Sequence, residues 1–231
     1  MSKIHVIIPA AGSGSRTGQE TPKQFARIGN KTIIEYIEGI FSRVNLIDSI
    51  SIALHPNEKF ISSGSFQFSK KTNILYCGGE SRAQTVLNTL FEIGEGKDDD
   101  WILVHDAARI GITESIVNKF IMEISVDKVG GIVAFPVPDT VKRVNKRLEV
   151  ITTEEREFLW LAQTPQMFKC NVLKKAIQSF NGCPTDEAEA IEATGLKPKI
   201  FKGSALNFKI TYPEDLLRAQ SAIQLINQGI I

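Results

Sequence analysis

A β-branched apolar run, Ile4 to Ile8, stops at Pro9 and empties into Ala10-Ala-Gly-Ser-Gly-Ser-Arg16. The run reads as a buried strand. The loop has little side-chain bulk at Ala10, Ala11, Gly12 and Gly14, so backbone N–H groups can approach an anion directly. Arg16 and Lys23 set two positive charges beside that bare backbone, and the ensemble is a phosphate cradle. Two familiar cradles do not fit. The P-loop string G-x-x-x-x-G-K-[ST] is absent, and Thr17 stands where the dinucleotide fingerprint needs its third glycine. A glycine turn with solvated charges is the weaker reading, because strand, small-residue loop, Arg16 and Pro22-Lys23 arrive together.

Strand-like and helix-like segments alternate after the cradle. Gly29-Asn30 is a turn, and Ile33, Ile34, Ile37, Ile40, Phe41 and Val44 follow at helical spacing. Strands are expected at 50–54, 74–77, 101–104 and 130–136. Ser81 is placed to cap a helix that buries Val86, Leu87, Leu90 and Phe91, and 115–124 reads as a further helix. This alternation argues for a parallel sheet with right-handed crossovers. Residues 139–157 break the rhythm: two short β-branched runs around Asn145-Lys146-Arg147 predict an inserted hairpin. An isolated hairpin is marginal in water, so it needs something to pack on, such as a second subunit. A strand at 159–162, helices at 172–177 and 187–193, strands at 200–201 and 208–210, and a final helix opened by Pro213 complete the chain.

The 231 residues, 42% of them hydrophobic, suit one α/β domain, and a net charge of +1 gives no reason to expect a nucleic-acid surface. Cys77, Cys170 and Cys183 are odd in number and scattered, which argues against a disulfide scaffold or structural zinc and fits a reducing cytoplasm. With no signal peptide and no apolar run near the ~20 residues of a membrane span, no membrane association is expected.

Three loops sit at the carboxyl ends of expected strands, where open α/β sheets bind ligands: the cradle, Gly78-Gly-Glu-Ser-Arg82 and His105-Asp-Ala-Ala-Arg109. Asp106 suits Mg²⁺, a ribose hydroxyl or a helix cap. His105 suits a base, but reads better as a histidine satisfied by backbone at a strand end; Asp98-Asp-Asp100 reads as a solvated loop, and Thr185-Asp-Glu-Ala188 as a cap. No Ser/His/Asp or Cys/His pattern stands out. Cations without an evident protein nucleophile point to phosphoryl or nucleotidyl transfer, in which the substrate supplies the nucleophile.

The cradle with Pro22-Lys23-Gln24, then Gly78-Gly79…Arg82, His105-Asp-Ala-Ala-Arg109, Pro138-Asp-Thr-Val-Lys-Arg143, Thr164-Pro-Gln166, Thr185-Asp-Glu-Ala188 and Asn207-Phe-Lys-Ile-Thr211 resemble, in that order and nearly end to end, the 2-C-methyl-D-erythritol 4-phosphate cytidylyltransferases of the non-mevalonate isoprenoid pathway. The resemblance implies a single Rossmann-like domain over 1–231, with a mostly parallel twisted sheet and helices on both faces. It also implies a homodimer clasped by the 139–157 β-arm. The reaction it implies joins CTP to methylerythritol phosphate, with Mg²⁺, and releases pyrophosphate. Arg16 and Lys23 match transition-state stabilisers, and Arg156 and Lys209 the groups that position methylerythritol phosphate. Ala10, Ala11, Gly12, Gly79, Glu80 and Thr85 match the cytidine pocket. Asp106 matches the acid near metal, ribose and substrate, and Arg109, Thr140, Thr164 and Thr185 further substrate contacts. Ile110 stands where the family usually has proline, while Glu80 and Thr85 replace the commoner Asp and Ser. The rival readings are ribitol-5-phosphate cytidylyltransferase and a nucleotide-binding module without catalysis.

Overall fold

The computed structural model describes residues 2–12, 22–64, 66–94 and 97–229. β1 (Ile4–Pro9) is followed, beyond the small-residue loop, by a 3-10 turn (Lys23–Phe25) and a short hairpin of β2 (Arg27–Ile28) and β3 (Lys31–Thr32). Next come α1 (Ile33–Ser42), β4 (Ser49–Ala53), α2 (Phe60–Ser63), β5 (Thr72–Leu75), α3 (Arg82–Glu92) and β6 (Trp101–Val104). The middle of the chain holds β7 (Arg109–Ile110), α4 (Glu114–Ile124), β8 (Gly130–Pro136), β9 (Val141–Val144) and β10 (Val150–Glu154). The last stretch is β11 (Trp160–Lys169), α5 (Cys170–Ser179), α6 (Glu187–Glu192), β12 (Lys199–Lys202), β13 (Phe208–Lys209) and α7 (Glu214–Asn227).

The seven-stranded sheet has the order β12-β8-β11-β6-β1-β4-β5. β11 runs antiparallel to both neighbours, and the other described pairings in the sheet are parallel. The reason lies in the insertion. A parallel return needs a crossover, usually a helix, whereas the chain leaving β8 makes only the β9–β10 hairpin before coming back. The amino end of β11 therefore lies at the carboxyl end of β6, with Gln166 opposite Val104.

Burial alternates along β1. Val6 and Ile8 face α1, α4 and α7, packing with Ile33, Phe41, Val117, Phe120 and Ala222. Ile7 faces α3, α5 and α6, with Val86, Leu90, Leu173 and Ile191. Each fully buried side chain of this size contributes about 1.5–3 kcal/mol. The sheet is thus covered on both faces, as expected.

Three local expectations are corrected. β5 begins two residues before the anticipated 74–77 and ends at Leu75. In α3 the buried stripe is Ala83, Thr85, Val86, Thr89 and Leu90; Phe91 turns outward, 50% exposed, and lies under the Lys174 ammonium instead. Asp100 is no merely solvated loop residue. Its carboxylate accepts from the Lys3 amide at 2.8 Å and pairs with His5 Nε2 at 3.0 Å, while His5 Nδ1 meets Ser49 Oγ at 2.7 Å. The amino end of β1 is tied to both flanking strands.

Burial opposes ionisation of Asp100, but hydrogen bonds from His5 and Lys3 outweigh it and hold the carboxyl below its usual range. A carboxyl depressed in the folded state stabilises above its unfolded pKa, and that stabilisation disappears as pH falls through the folded value. Asp100→Asn therefore lowers Tm at pH 7, by about 2–4 °C for each kcal/mol lost. The gap to the native protein closes on acidification. Parallel melting curves from pH 7 to 3 check it.

Candidate functional site

The chain leaves β1 toward β4 on one side, while β6 lies on the other, so a crevice opens beyond the carboxyl ends of β1 and β6. A cleft of about 320 Å³ occupies that place, lined by Ala10, Ala11, Gly12, Lys23, Gln24, Glu80, Arg82, Thr85, Asp106 and Lys209 among others. Arg16, with Gly14, lies outside the described residues.

The small-residue loop is held by backbone and by one amide. Ala10 N donates to Ala53 O at 2.7 Å. Gln24 Nε2, buried, gives both protons to the loop, at 2.8 Å to Ala10 O and 2.9 Å to Gly12 O. Gly78 is required by close approach: a Cβ there would lie 2.3 Å from Ala11 Cβ and 2.7 Å from Leu54 O. A Cβ on Gly12 would meet none of the described residues within 4 Å, and Gly12 lines the cleft. On the opposite wall, Ser81 caps α3 through a 3.0 Å bond from Gln84 N. Thr85 Oγ1 accepts from Gly79 N at 3.0 Å and donates to Ser81 O at 2.9 Å, fixing the shape of the Gly79–Ser81 turn.

Asp106 stands at the centre. Its Oδ1 accepts from Arg82 Nε at 2.7 Å; its Oδ2 meets Lys209 Nζ at 2.9 Å and lies 4.0 Å from Arg109 Nε. Arg82 also forms a bidentate pair with Glu187, at 2.7 and 3.0 Å. Burial alone would raise the Asp106 pKa, but the charges of Arg82, Lys209 and Arg109 hold it far below the carboxylate range. Arg82 is shifted the other way: burial works against its charge, and Glu187 and Asp106 more than offset this. The helix-cap reading of Asp106 is set aside, since its carboxylate is committed to these cations. Lys209 and Arg109 sit directly opposite each other on β13 and β7, where two like charges would repel. The carboxylate between them removes that conflict.

Behind Asp106 runs a buried relay. Arg109 O can only accept, so His105 Nε2, 3.0 Å away, carries the proton. Nδ1 then accepts from Thr164 Oγ1 at 3.0 Å, and Thr164 Oγ1 accepts from Asp106 N at 3.1 Å. Every group on this path has the partner that its chemistry allows. Asn207 Nδ2 holds Thr164 O at 2.8 Å, and Asn207 O accepts from Arg109 Nη1 at 2.9 Å. Arg109 Nε and Asn207 Oδ1 are buried without a hydrogen-bond partner among the described residues, a donor and an acceptor still to be satisfied.

Of the residues singled out in the sequence, the fold brings Ala10, Ala11, Gly12, Lys23, Glu80, Thr85, Asp106 and Lys209 to one cleft, with Gly79, Arg109 and Thr164 directly behind it. Thr140 and Arg156 are exposed near the base of the β9–β10 hairpin, where Arg156 Nη1 donates to Pro138 O, and Thr185 is exposed before α6. None of these three lines the cleft. Arg82, Glu187, Gln24 and Asn207 were not among the candidates. All four lie inside the quoted motifs, but Glu187 reads as part of a cap, and no spacing rule pairs it with an arginine 105 positions away.

The family model of 2-C-methyl-D-erythritol 4-phosphate cytidylyltransferase (IspD) matches residues 4–225. A protein of that name from Nitrosomonas eutropha is 42% identical over 224 residues, covering 95% of this chain and 96% of the relative. Another, from Burkholderia cenocepacia, is 40% identical over 227 residues, covering 96% of each. The crystal structure of a 4-diphosphocytidyl-2C-methyl-D-erythritol synthase superposes with a TM-score of 0.85 at 34% identity, covering 96% of this chain and 99% of the other. The cytidylyltransferase structure from Francisella tularensis gives 0.80 at 34% identity, with 96% and 100% covered.

The relay predicts a silent histidine. Burial lowers the His105 pKa from 6.5 to about 4, so nitrogen-detected NMR should show a neutral, Nε2-protonated ring down to that pH. Titration near 6.5 would mean that the ring is wired differently.

Proposed function

Because the chain belongs to the 2-C-methyl-D-erythritol 4-phosphate cytidylyltransferase family, its reaction is CTP-dependent cytidylyl transfer in isoprenoid synthesis, and we propose that the Asp106 cleft is where that transfer occurs. A phosphate oxygen of 2-C-methyl-D-erythritol 4-phosphate attacks the α-phosphorus of CTP. A P–O bond forms, the bond to the bridging oxygen of the β-phosphate breaks, and pyrophosphate leaves with the electron pair. The nucleophile is already an anion at neutral pH, so no general base is required. The barrier is one of anion approaching anion, and fixed cations that face the developing charge lower it.

The observation that carries this reading is the charge of the cleft. In and directly behind the cleft, Lys23, Arg82, Arg109 and Lys209 are four cations against the three anions Glu80, Asp106 and Glu187, and the cations gather about the single carboxylate of Asp106. Lys23, anchored by its 2.9 Å bond to Ile210 O, and Arg16 take the transition-state role. Lys209 and Arg109 take the phosphate of methylerythritol phosphate, with Thr164 setting the backbone beneath them. Ala10, Ala11, Gly12, Gly79 and Glu80 form the cytidine pocket, whose turn Thr85 shapes.

Asp106 also suits Mg²⁺, which needs few protein ligands where phosphate oxygens supply the rest. Among the described residues no group of three or more His, Cys, Asp or Glu gathers that would hold a metal alone. When bound beside Asp106, Mg²⁺ adds positive charge against the triphosphate.

Thr140, Arg156 and Thr185 belong, in this reading, to a site completed by a second copy of the chain. The arm and its base expose Leu148, Val150, Ile151, Phe158 and Leu161, an apolar strip that an interface would cover. No helix of the described residues is long and apolar enough to cross a membrane. We place the enzyme in the cytoplasm, as a homodimer.

Pyrophosphate release with CTP and Mg²⁺, comparing methylerythritol phosphate with ribitol 5-phosphate, tests the reading. Turnover is expected with the first. Lys23→Ala should keep the fold and lose on the order of 100-fold or more in kcat; unchanged kcat would remove the cleft assignment. Deleting residues 143–150 should weaken the dimer in sedimentation and raise KM for the sugar phosphate.

A further inference from the structure

We infer that Glu187 and Arg82 form a positioning pair, which fixes the Asp106 carboxylate from behind and keeps Arg82 away from the triphosphate. The inference rests on the cleft assignment above and gives these two residues a role beyond their share of the cleft's charge.

Three observations carry it. First, Glu187 is 1% exposed and both its oxygens are taken by one arginine. A fork-to-fork pair of that kind sets the plane of the guanidinium as well as its position. Second, the remaining edge of the same guanidinium donates from Nε to Asp106 Oδ1 at 2.7 Å. Because the guanidinium is rigid, its orientation at Glu187 sets where its Nε–H meets the Asp106 carboxylate. Oδ2 is then the oxygen that meets Lys209. Third, Glu187 is itself held on both flanks by β11. Gln166, buried, donates from Nε2 to Asp186 Oδ2 at 2.9 Å and accepts at Oε1 from Ala188 N at 2.9 Å. A continuous path of hydrogen bonds thus runs from the sheet through the start of α6 and Arg82 to the acid at the centre of the cleft.

The pair solves a problem that this site creates. Arg82 lines the cleft, and a triphosphate is a stronger draw than one carboxylate. With Asp106 as its sole partner, Arg82 would turn toward the nucleotide on binding and leave Asp106 free to rotate. Glu187 lies deeper than the ligand can reach and offers a bidentate partner that arriving phosphates do not displace. Asp106 accordingly keeps one orientation while negative charge enters and leaves.

The test measures steady-state kinetics of Glu187→Gln, Glu187→Asp and Arg82→Lys beside the native enzyme and Lys23→Ala, with melting curves for each. For Glu187→Gln we expect kcat to fall by about 10–100-fold, the usual consequence of losing a residue that orients a ligating group, with KM for CTP nearly unchanged. Glu187→Asp keeps the buried charge pair and therefore the fold, but is one methylene short; its kcat should lie between the two. Wild-type kcat in folded Glu187→Gln or Glu187→Asp, with only a lower Tm, would reduce the pair to a brace and overturn the inference. A loss confined to KM for CTP in Arg82→Lys would overturn it as well, by making Arg82 a direct phosphate ligand. Full activity in Lys23→Ala would instead fault the cleft assignment, so the two failures are told apart.

Discussion

A single carboxylate, sunk between three cations, is the interaction on which this site depends. Taken alone, Asp106 would be neutralised by burial. Taken alone, Lys209 and Arg109 would repel each other across the β7–β13 pair, and Arg82 would be a cation with little solvent to screen it. Together the charges are mutually satisfied. Such clusters are poor sources of net stability, because the desolvation they require offsets much of the attraction, yet breaking one member costs about 3–5 kcal/mol. The cluster is therefore better understood as a device for holding charged groups in place than as cement for the fold.

The sheet makes that arrangement possible. Parallel β1 and β6 bring two loops to one edge, the small-residue loop and the His105–Arg109 turn. The antiparallel strand β11 starts where its neighbours end, so it delivers Gln163, Thr164 and Gln166 to the same edge. Those residues support the site rather than face it: Thr164 holds the Asp106 amide, and Gln166 holds the start of α6. One strand of reversed direction thus furnishes three of the buried polar side chains around the site. The relay through His105 needs no charge of its own, which suits a histidine with no contact to bulk water.

The division of labour between bare backbone and fixed cations fits the chemistry of the family. Ala10, Ala11 and Gly12 bring little side-chain bulk to the cleft, and among the described residues none lies within 4 Å of where a Gly12 Cβ would stand. Lysine and arginine are already oriented by Ile210 O, Asn207 O and Asp106, the pre-organisation that stabilising a developing negative charge calls for.

Much of the fold was legible in the sequence because it follows from local patterning. The run Ile4–Ile8, the spacing of Ile33 to Phe41, Ser81 ahead of α3 and the interrupted rhythm at 139–157 each name their element through periodicity, capping or turn chemistry. Phe91 was misassigned because a helical stripe read from hydrophobicity alone cannot weigh Thr85 and Thr89, which bury their methyl groups and bond their hydroxyls within the fold. The residue types of the site were legible too: a bare loop, cations, one acid and no nucleophile. What the chain by itself determined was therefore the α/β architecture and a phosphate-handling chemistry. The pairing of Arg82 with Glu187, the antiparallel course of β11 and the direction of every proton between His105 and Asp106 were decided only by the tertiary structure. They join residues from 24 to 105 positions apart, and a hydrogen bond or ion pair is selected by distance and angle in space, on which linear spacing is silent.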